Sequence, residues 1–198
     1  MQIQIKLDKI SYGDAVVKVM PALCAHMQES NTAAAKIISA IAALPESLIR
    51  QVFEAIPPEE QNEILSLLVQ EHQDIILSYG TKLAREHGVT LSLANLQVTK
   101  ALDIRVGLQN VDYVSLVNRF YPLVEKNLAS SQHPDALLLR KLPVGHAERT
   151  LKLLPSSAKE HIIAYLLTQN SDKICAELEK ALEENGLHVR LRALSATV

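Results

Sequence analysis

The chain has 198 residues, a net charge of −2 and a hydrophobic fraction of 48%, a composition that supplies a full core and excludes a disordered chain. A surface for duplex nucleic acid needs an excess of Lys and Arg, which this composition lacks. The longest stretch without a charged residue, 87–99, is too short and too polar to span a bilayer. The two cysteines form no disulfide pattern, and the opening residues alternate polar and apolar rather than forming a signal peptide. We therefore expect a soluble, cytoplasmic protein.

The first 43 residues predict a short strand and two helices. Residues 3–7 alternate apolar and polar side chains, which is typical of a half-buried strand. Asp14 is placed to cap a helix, and Pro21 inside that helix should kink or split it. A second helix is predicted over 33–43, where apolar residues form a stripe.

Three further helices and a strand complete the first half. Prolines open two short helices: one runs from Pro45 to about residue 55, and the next begins at 57–58. In the first of these, the pattern predicts four inward side chains: Leu48, Ile49, Val52 and Phe53. Asp74 is placed to cap the following helix, and Gly88 to end it in a left-handed conformation. A second strand is predicted over 89–93.

The second half of the chain repeats this pattern. Shifting the sequence by 98 positions aligns 44–96 with 142–194 without a gap and gives 12 identities in 53 positions, where about four are expected by chance. Strands are also predicted at 102–106 and 187–191, and Pro122 corresponds to Pro21 after a slip in register. We predict a mostly α (α+β) fold made by tandem duplication, with units 1–98 and 99–198 packed as one pseudo-twofold body. The four strands would form a small antiparallel sheet near the join.

Residues 43–68 and 141–166 resemble a known type of helical repeat. In each, a Leu-Pro pair is followed twelve residues later by a second apolar-Pro pair that opens a helix. This spacing is similar to that in the amino-terminal domain of MgtE-type magnesium transporters and in the middle domain of flagellar motor switch proteins. The resemblance implies helical-repeat packing that serves as an interaction or regulatory surface, and it implies no functional residue.

The sequence contains no nucleotide-binding, nucleophile-elbow or zinc-protease motif. Cys24 and His26 are too few for a zinc site, so we expect no metal and no cofactor. Two polar features repeat at the 98-residue spacing. An aspartate occurs at Asp74 and again at Asp172, and an i,i+4 Lys–Glu pair occurs at Lys82–Glu86 and again at Lys180–Glu184. Helix capping and solvated ion pairs account for them most simply.

The aromatic residues Tyr113, Phe120 and Tyr121 cluster in the second half, where they could be core or could form a ligand or partner surface. The leading functional hypothesis is a non-enzymatic adaptor or regulatory subunit that binds a protein partner through an exposed apolar patch. The alternative is a small-molecule binder or enzyme with a site between the halves, marked by a cavity with convergent polar groups. Self-association through a strand edge is compatible with either hypothesis.

Overall fold

The computed structural model describes residues 1–27, 33–99, 103–141 and 147–198. Helices account for 64% of the chain, and a four-stranded sheet makes the fold α+β rather than all-helical. The first half contains β1 Gln2–Ile10, α1 Tyr12–Met27, α2 Ala33–Ala42, α3 Glu46–Glu54, α4 Pro58–Glu71, α5 Gln73–Glu86 and β2 Ser92–Val98. The second half contains β3 Asp103–Gln109, α6 Tyr113–Ser130, α7 Pro134–Arg140, α8 Ala147–Leu153, α9 Ser156–Gln169, α10 Ser171–Glu184 and β4 Val189–Thr197. The two halves have the same order of elements.

The sheet joins the two halves through its strand pairings. Its order is β2-β3-β1-β4 and every pair is antiparallel. The central pair is β1 with β3, in the register Gln4↔Arg105. Each outer strand pairs with the central strand of the other half, so exchanging the halves leaves the strand order unchanged. The predicted small antiparallel sheet is thereby confirmed.

The sheet has one apolar and one polar face. On β1, Ile3 and Ile5 pack against the main core and Leu7 is buried. Gln2, before Ile3, and Lys6, between Ile5 and Leu7, are exposed. Because side chains alternate across a strand, the helices cover one face and solvent the other.

The two outer strands extend further than their sequence pattern predicts. β2 runs from Ser92 to Val98, so the predicted strand residues 89–91 precede it, and β4 runs from Val189 to Thr197, two residues later than its predicted start at 187. In β2 the alternation stops where the register shifts between Ala94 and Gln97, with Asn95 at φ 53°. In β4 a similar shift lies beside Leu191. A bulge inserts an extra residue and breaks the period of two, which hides the rest of the strand from a sequence reading.

Among the described residues, six prolines stand in or at the start of helices, including Pro134, the first residue of α7. Pro21 and Pro122 lie inside α1 and α6, and neither helix is split there. Pro45 and Pro155 stand at the N-caps of α3 and α9, and Pro58 is the first residue of α4. A missing N–H costs nothing at such positions, as the sequence predicts. Pro143 lies outside the described residues.

The main hydrophobic core lies in the second half. Its largest fully buried side chains come from α6, α8, α9 and α10: Val124, Leu128, Leu151, Ile163, Leu166 and Ile174. A smaller cluster in the first half joins α1 to α3 through Val16, Val17, Met20 and Ile49.

Helix α3 faces the core with fewer side chains than predicted. Ile49 is buried and Phe53 is half-buried, but Leu48 is 41% and Val52 51% exposed. The prediction that Leu48 and Val52 point inward is therefore wrong. The small first-half cluster covers only the side of this nine-residue helix that carries Ile49. The neighbouring side, with Leu48 and Val52, is left exposed to solvent.

Candidate functional site

A crevice of about 600 Å³ lies where the end of the sheet meets helices of both halves. The first half contributes the end of β1, the start of α1 and the turn between α3 and α4. The second half contributes α10 and the start of β4. Its lining residues are Lys9, Ile10, Ser11, Tyr12, Glu54, Ile56, Pro58, Gln61, Glu179, Glu183, His188, Val189 and Arg190.

Asp14 lies next to this crevice and contacts His188, one of its lining residues. Its side chain is 8% exposed and accepts a hydrogen bond from Nε of Arg50 at 2.7 Å. Its second oxygen lies 2.7 Å from Nδ1 of His188, which must carry the proton because a carboxylate only accepts. Burial acts to raise the pKa of Asp14, but the hydrogen bonds from Arg50, His188 and Ser11 hold that pKa below its ordinary value.

The path of the chain explains why these three side chains meet. Gly13 lets α1 approach α3 closely, because a Cβ there would lie 2.8 Å from Cα of Arg50. The N–H of Ser11 donates to the carbonyl of His188 at 2.9 Å, which anchors the loop between α10 and β4. Asp14 is the third residue of α1 and not its N-cap, so its carboxylate is free to bind across elements.

Two cations stand side by side at the sheet end of the crevice. Lys9 and Arg190 are directly paired in the β1–β4 register, and both are exposed. Arg190 lies 3.7 Å from Oε2 of Glu179, whose other oxygen accepts from the N–H of Leu191 at 2.6 Å. Like charges opposite one another on a sheet repel, and the carboxylate of Glu179 offsets this repulsion at Arg190.

Polar side chains also fix the helical wall. Nε2 of Gln61 donates to the carbonyls of Phe53 and Ile56 at 2.6 and 2.8 Å, which holds the turn between α3 and α4. The hydroxyl of Tyr12 hydrogen-bonds Oδ1 of Asn62, and burial raises the pKa of Tyr12.

A smaller depression of about 200 Å³ occupies the matching place in the second half. It is lined by Val111, Asp112, Tyr113, Val114, Leu151, Lys152 and Lys159. The hydroxyl of Tyr113 lies 3.4 Å from Glu160. In the first half, the hydroxyl of Tyr12 contacts Asn62, the residue 98 positions before Glu160. Lys159 stands where the first half has Gln61.

The structure separates the three predicted aromatic residues. Tyr113 lines the smaller depression, and its pKa is raised by burial and by Glu160. Phe120 is 6% exposed inside the main core, and Tyr121 packs against that core while half-buried. Their role as a ligand or partner surface stays a prediction.

Sequence reasoning missed the residues that line the larger crevice. Tyr12 matches Tyr113 only at a spacing of 101, after the register has slipped, so a search at 98 does not find it. Asp14 was assigned to helix capping, and His188 has no histidine partner in the other half. Its signal is indirect: a polar residue directly follows a repeated Gly-apolar pair, at Gly186-Leu187-His188 and Gly88-Val89-Thr90.

The repeated polar residues outside the crevice have simple surroundings. Lys82–Glu86 and Lys180–Glu184 lie at 3.7 and 3.8 Å on exposed helix faces, which confirms the predicted ion pairs. The predicted caps are not formed, because Asp74 and Asp172 are the second residues of their helices. The N-cap residues are His72 and Asn170, and neither makes a side-chain capping hydrogen bond. There the two carboxylates still suit the positive end of the helix dipole.

The cysteines and the metal-ligating residues form no recognisable centre in the described part of the chain. Cys24 and Cys175 are free thiols, and burial raises the pKa of Cys175. Within 1–27, 33–99, 103–141 and 147–198, no three His, Cys, Asp or Glu side chains converge as metal ligands. Over the same residues, no helix is both long and apolar enough to cross a membrane.

The crevice can orient a ligand-binding or proton-transferring group. Asp14 fixes the ring of His188 through Nδ1 and leaves Nε2 as the ring nitrogen for another partner, the arrangement in which an imidazole serves as a positioned base or donor.

Comparisons with known proteins found no matching family model, no matching curated protein and no matching solved structure.

Proposed function

We propose that the chain is a tandem duplication of units 1–98 and 99–198 related by a pseudo-twofold axis. The support is a set of matched details at the 98-residue spacing. Gly88 and Gly186 both end a helix at positive φ, 78° and 72°. The N–H of Leu93 donates to Thr81 of α5, and the N–H of Leu191 donates to Glu179 of α10. We include in this proposal the helical-repeat packing implied for 43–68 and 141–166.

We propose that the protein is a non-enzymatic interaction module, an adaptor or regulatory subunit that binds a protein partner. The observation that carries this proposal is the apolar stripe along α3. Leu48 and Val52 are 41% and 51% exposed and lie four residues apart, so they share one side of the helix. Leu44, 39% exposed, precedes the N-cap of the same helix. Contiguous exposed apolar surface of this kind marks protein interfaces. Free thiols and the charge balance support a cytoplasmic setting.

Affinity capture from lysate of the source cells tests this role. We expect a stoichiometric protein to co-purify with the wild-type chain and to be lost from the double variant Leu48→Glu, Val52→Glu. The control is Leu153→Glu, which changes an 85% exposed leucine on α8. A capture without a protein partner, or one that the α3 variant leaves unchanged, would contradict the proposal.

The second candidate function is small-molecule binding in the crevice between the halves. It is favoured by the convergence of His188, Lys9 and Arg190 on one cavity, where the contact with Asp14 orients the His188 ring. Native mass spectrometry of the purified chain tests it. A bound compound that is retained by the wild type and lost from Arg190→Met would place this function first.

A further inference from the structure

Helix α4 exposes apolar side chains at positions that its counterpart α9 covers. Ile64 and Ile162 are the same residue type 98 positions apart, yet Ile162 is 2% exposed and Ile64 only half-buried. Leu67 is 57% exposed, whereas the matching Tyr165 is half-buried. The two helices have the same length and the same place in the element order. We call Ile64 and Leu67 the open face of α4.

In the second half, the corner between α6 and α7 covers the matching face. Tyr165 stacks on the ring of His133 at 4.3 Å, and its hydroxyl lies 2.9 Å from Oγ of Ser131. Helix α7 follows at once and packs on α9, with Ala136 fully buried. A short helix is therefore the element that completes this packing.

In the first half, the corresponding helix packs on α1 as α7 packs on α6, but its described residues do not pack on α4 as α7 packs on α9. Helix α2 packs on α1, and the leucine that matches Tyr165 remains in solvent. Helix α1 packs mainly on α2, α3 and α5, whereas α6 packs on α7, α8, α9 and α10. Among the residues that the structure describes, the open face of α4 thus lacks the helical cover that its counterpart has.

The charge of α4 defines what can cover it. Its sequence, PEEQNEILSLLVQE, contains four glutamates and no Lys or Arg. Glu59, Glu60 and Glu71 are exposed. An acidic helix with an apolar face is complemented by a helix whose apolar stripe is bordered by Lys and Arg.

We propose that the open face of α4 binds a basic amphipathic helix of a partner protein, placed as α7 is placed on α9. The partner's apolar stripe covers Ile64 and Leu67, and its cations lie over Glu59, Glu60 and Glu71. This inference rests on the proposed interaction function and specifies a second contact surface apart from the stripe on α3.

A synthetic helix tests this surface on the full chain. The probe is a fluorescein-labelled peptide of about 16 residues with leucines at helical spacing and lysines at all other positions. Its control has glutamates in place of the lysines. Fluorescence anisotropy should show saturable binding of the lysine peptide, weakening as salt rises from about 0.05 to 0.3 M because exposed charges are screened. The glutamate peptide should not bind.

Two variants locate the binding. Leu67→Lys should weaken affinity for the lysine peptide by about tenfold or more, since it removes an apolar contact and adds a like charge. Glu59→Lys with Glu60→Lys should weaken it and flatten the salt dependence. Leu153→Lys should leave affinity unchanged. Circular dichroism of each variant checks that the helices are retained.

Failure of this inference is distinguishable from failure of the proposed function. Absence of lysine-peptide binding, equal binding of the glutamate peptide, or an affinity that Leu67→Lys leaves intact would overturn the α4 surface. A concentration-dependent dimer abolished by Leu67→Lys would also overturn it, because the occupant would then be a second copy. The interaction function itself depends on capture through the α3 stripe, which these outcomes leave untouched.

Discussion

The carboxylate of Asp14 and the imidazole of His188 meet at 2.7 Å although 174 residues separate them in the chain. Asp14 lies in the first turn of α1, the first helix of the first half, and His188 directly precedes β4, the last strand of the second half. With Arg50 bound to its other oxygen, Asp14 links α1, α3 and the α10–β4 loop. One buried carboxylate therefore connects the two halves at a point outside the sheet.

This contact predicts an acid-sensitive contribution to stability. The pKa of Asp14 is lower in the folded chain than in the unfolded one, so the contribution is present above the unfolded pKa of about 3.9 and is lost as pH falls through the folded pKa. Asp14→Asn should lower the free energy of unfolding by about 2 kcal/mol at pH 7 and by much less at pH 3. Urea unfolding at both pH values measures this. Asp74→Asn, on an exposed carboxylate, should change stability by less than about 0.5 kcal/mol.

Gly13 should be the least tolerant helical glycine in the first half. An alanine Cβ there would meet backbone, at 2.8 Å from Cα of Arg50, so α1 and α3 would have to separate. We expect Gly13→Ala to cost about 1–3 kcal/mol in thermal or urea unfolding. Gly80→Ala is the matched comparison, because its Cβ meets only the end of the Leu93 side chain and alanine favours a helix. A larger loss at Gly80 would contradict the role assigned to Gly13.

Local patterns predicted most elements of the fold, because helix caps, prolines and alternating strands are local signals. Strand β1 and helix α3 lie where the pattern puts them. The crevice was not predictable in this way. Tyr12 and Asp14 come near His188 only because β1 pairs with β4, the last strand of the chain. The outward side of α3 was missed for a related reason: periodicity shows that Leu48 and Val52 share a stripe with the core residues but not how much core is available to cover them.

The outer edge of β4 should lose protection when its side-chain acceptors are removed. The N–H groups of Leu194 and Ala196 point away from β1 and donate to Ser171 at 2.7 Å and Thr168 at 3.0 Å. Bare strand edges invite pairing with other chains, so these contacts cap the edge. Thr168→Val should cost about 1 kcal/mol and speed amide exchange at Ala196 in hydrogen-exchange mass spectrometry. Ser78→Ala, on an exposed face of α5, should change neither quantity.

Two isoleucines at matched positions give a direct test of how differently the halves are packed. Ile174 of α10 is fully buried in the main core, whereas Ile76 of α5, 98 positions earlier, is half-buried. Ile174→Ala should cost about 3–5 kcal/mol, because the cavity it leaves is enclosed on all sides. Ile76→Ala should cost about 1 kcal/mol, since its side chain gives up less buried area and leaves no closed cavity. Equal losses in urea unfolding would mean that the first half closes over Ile76 in solution.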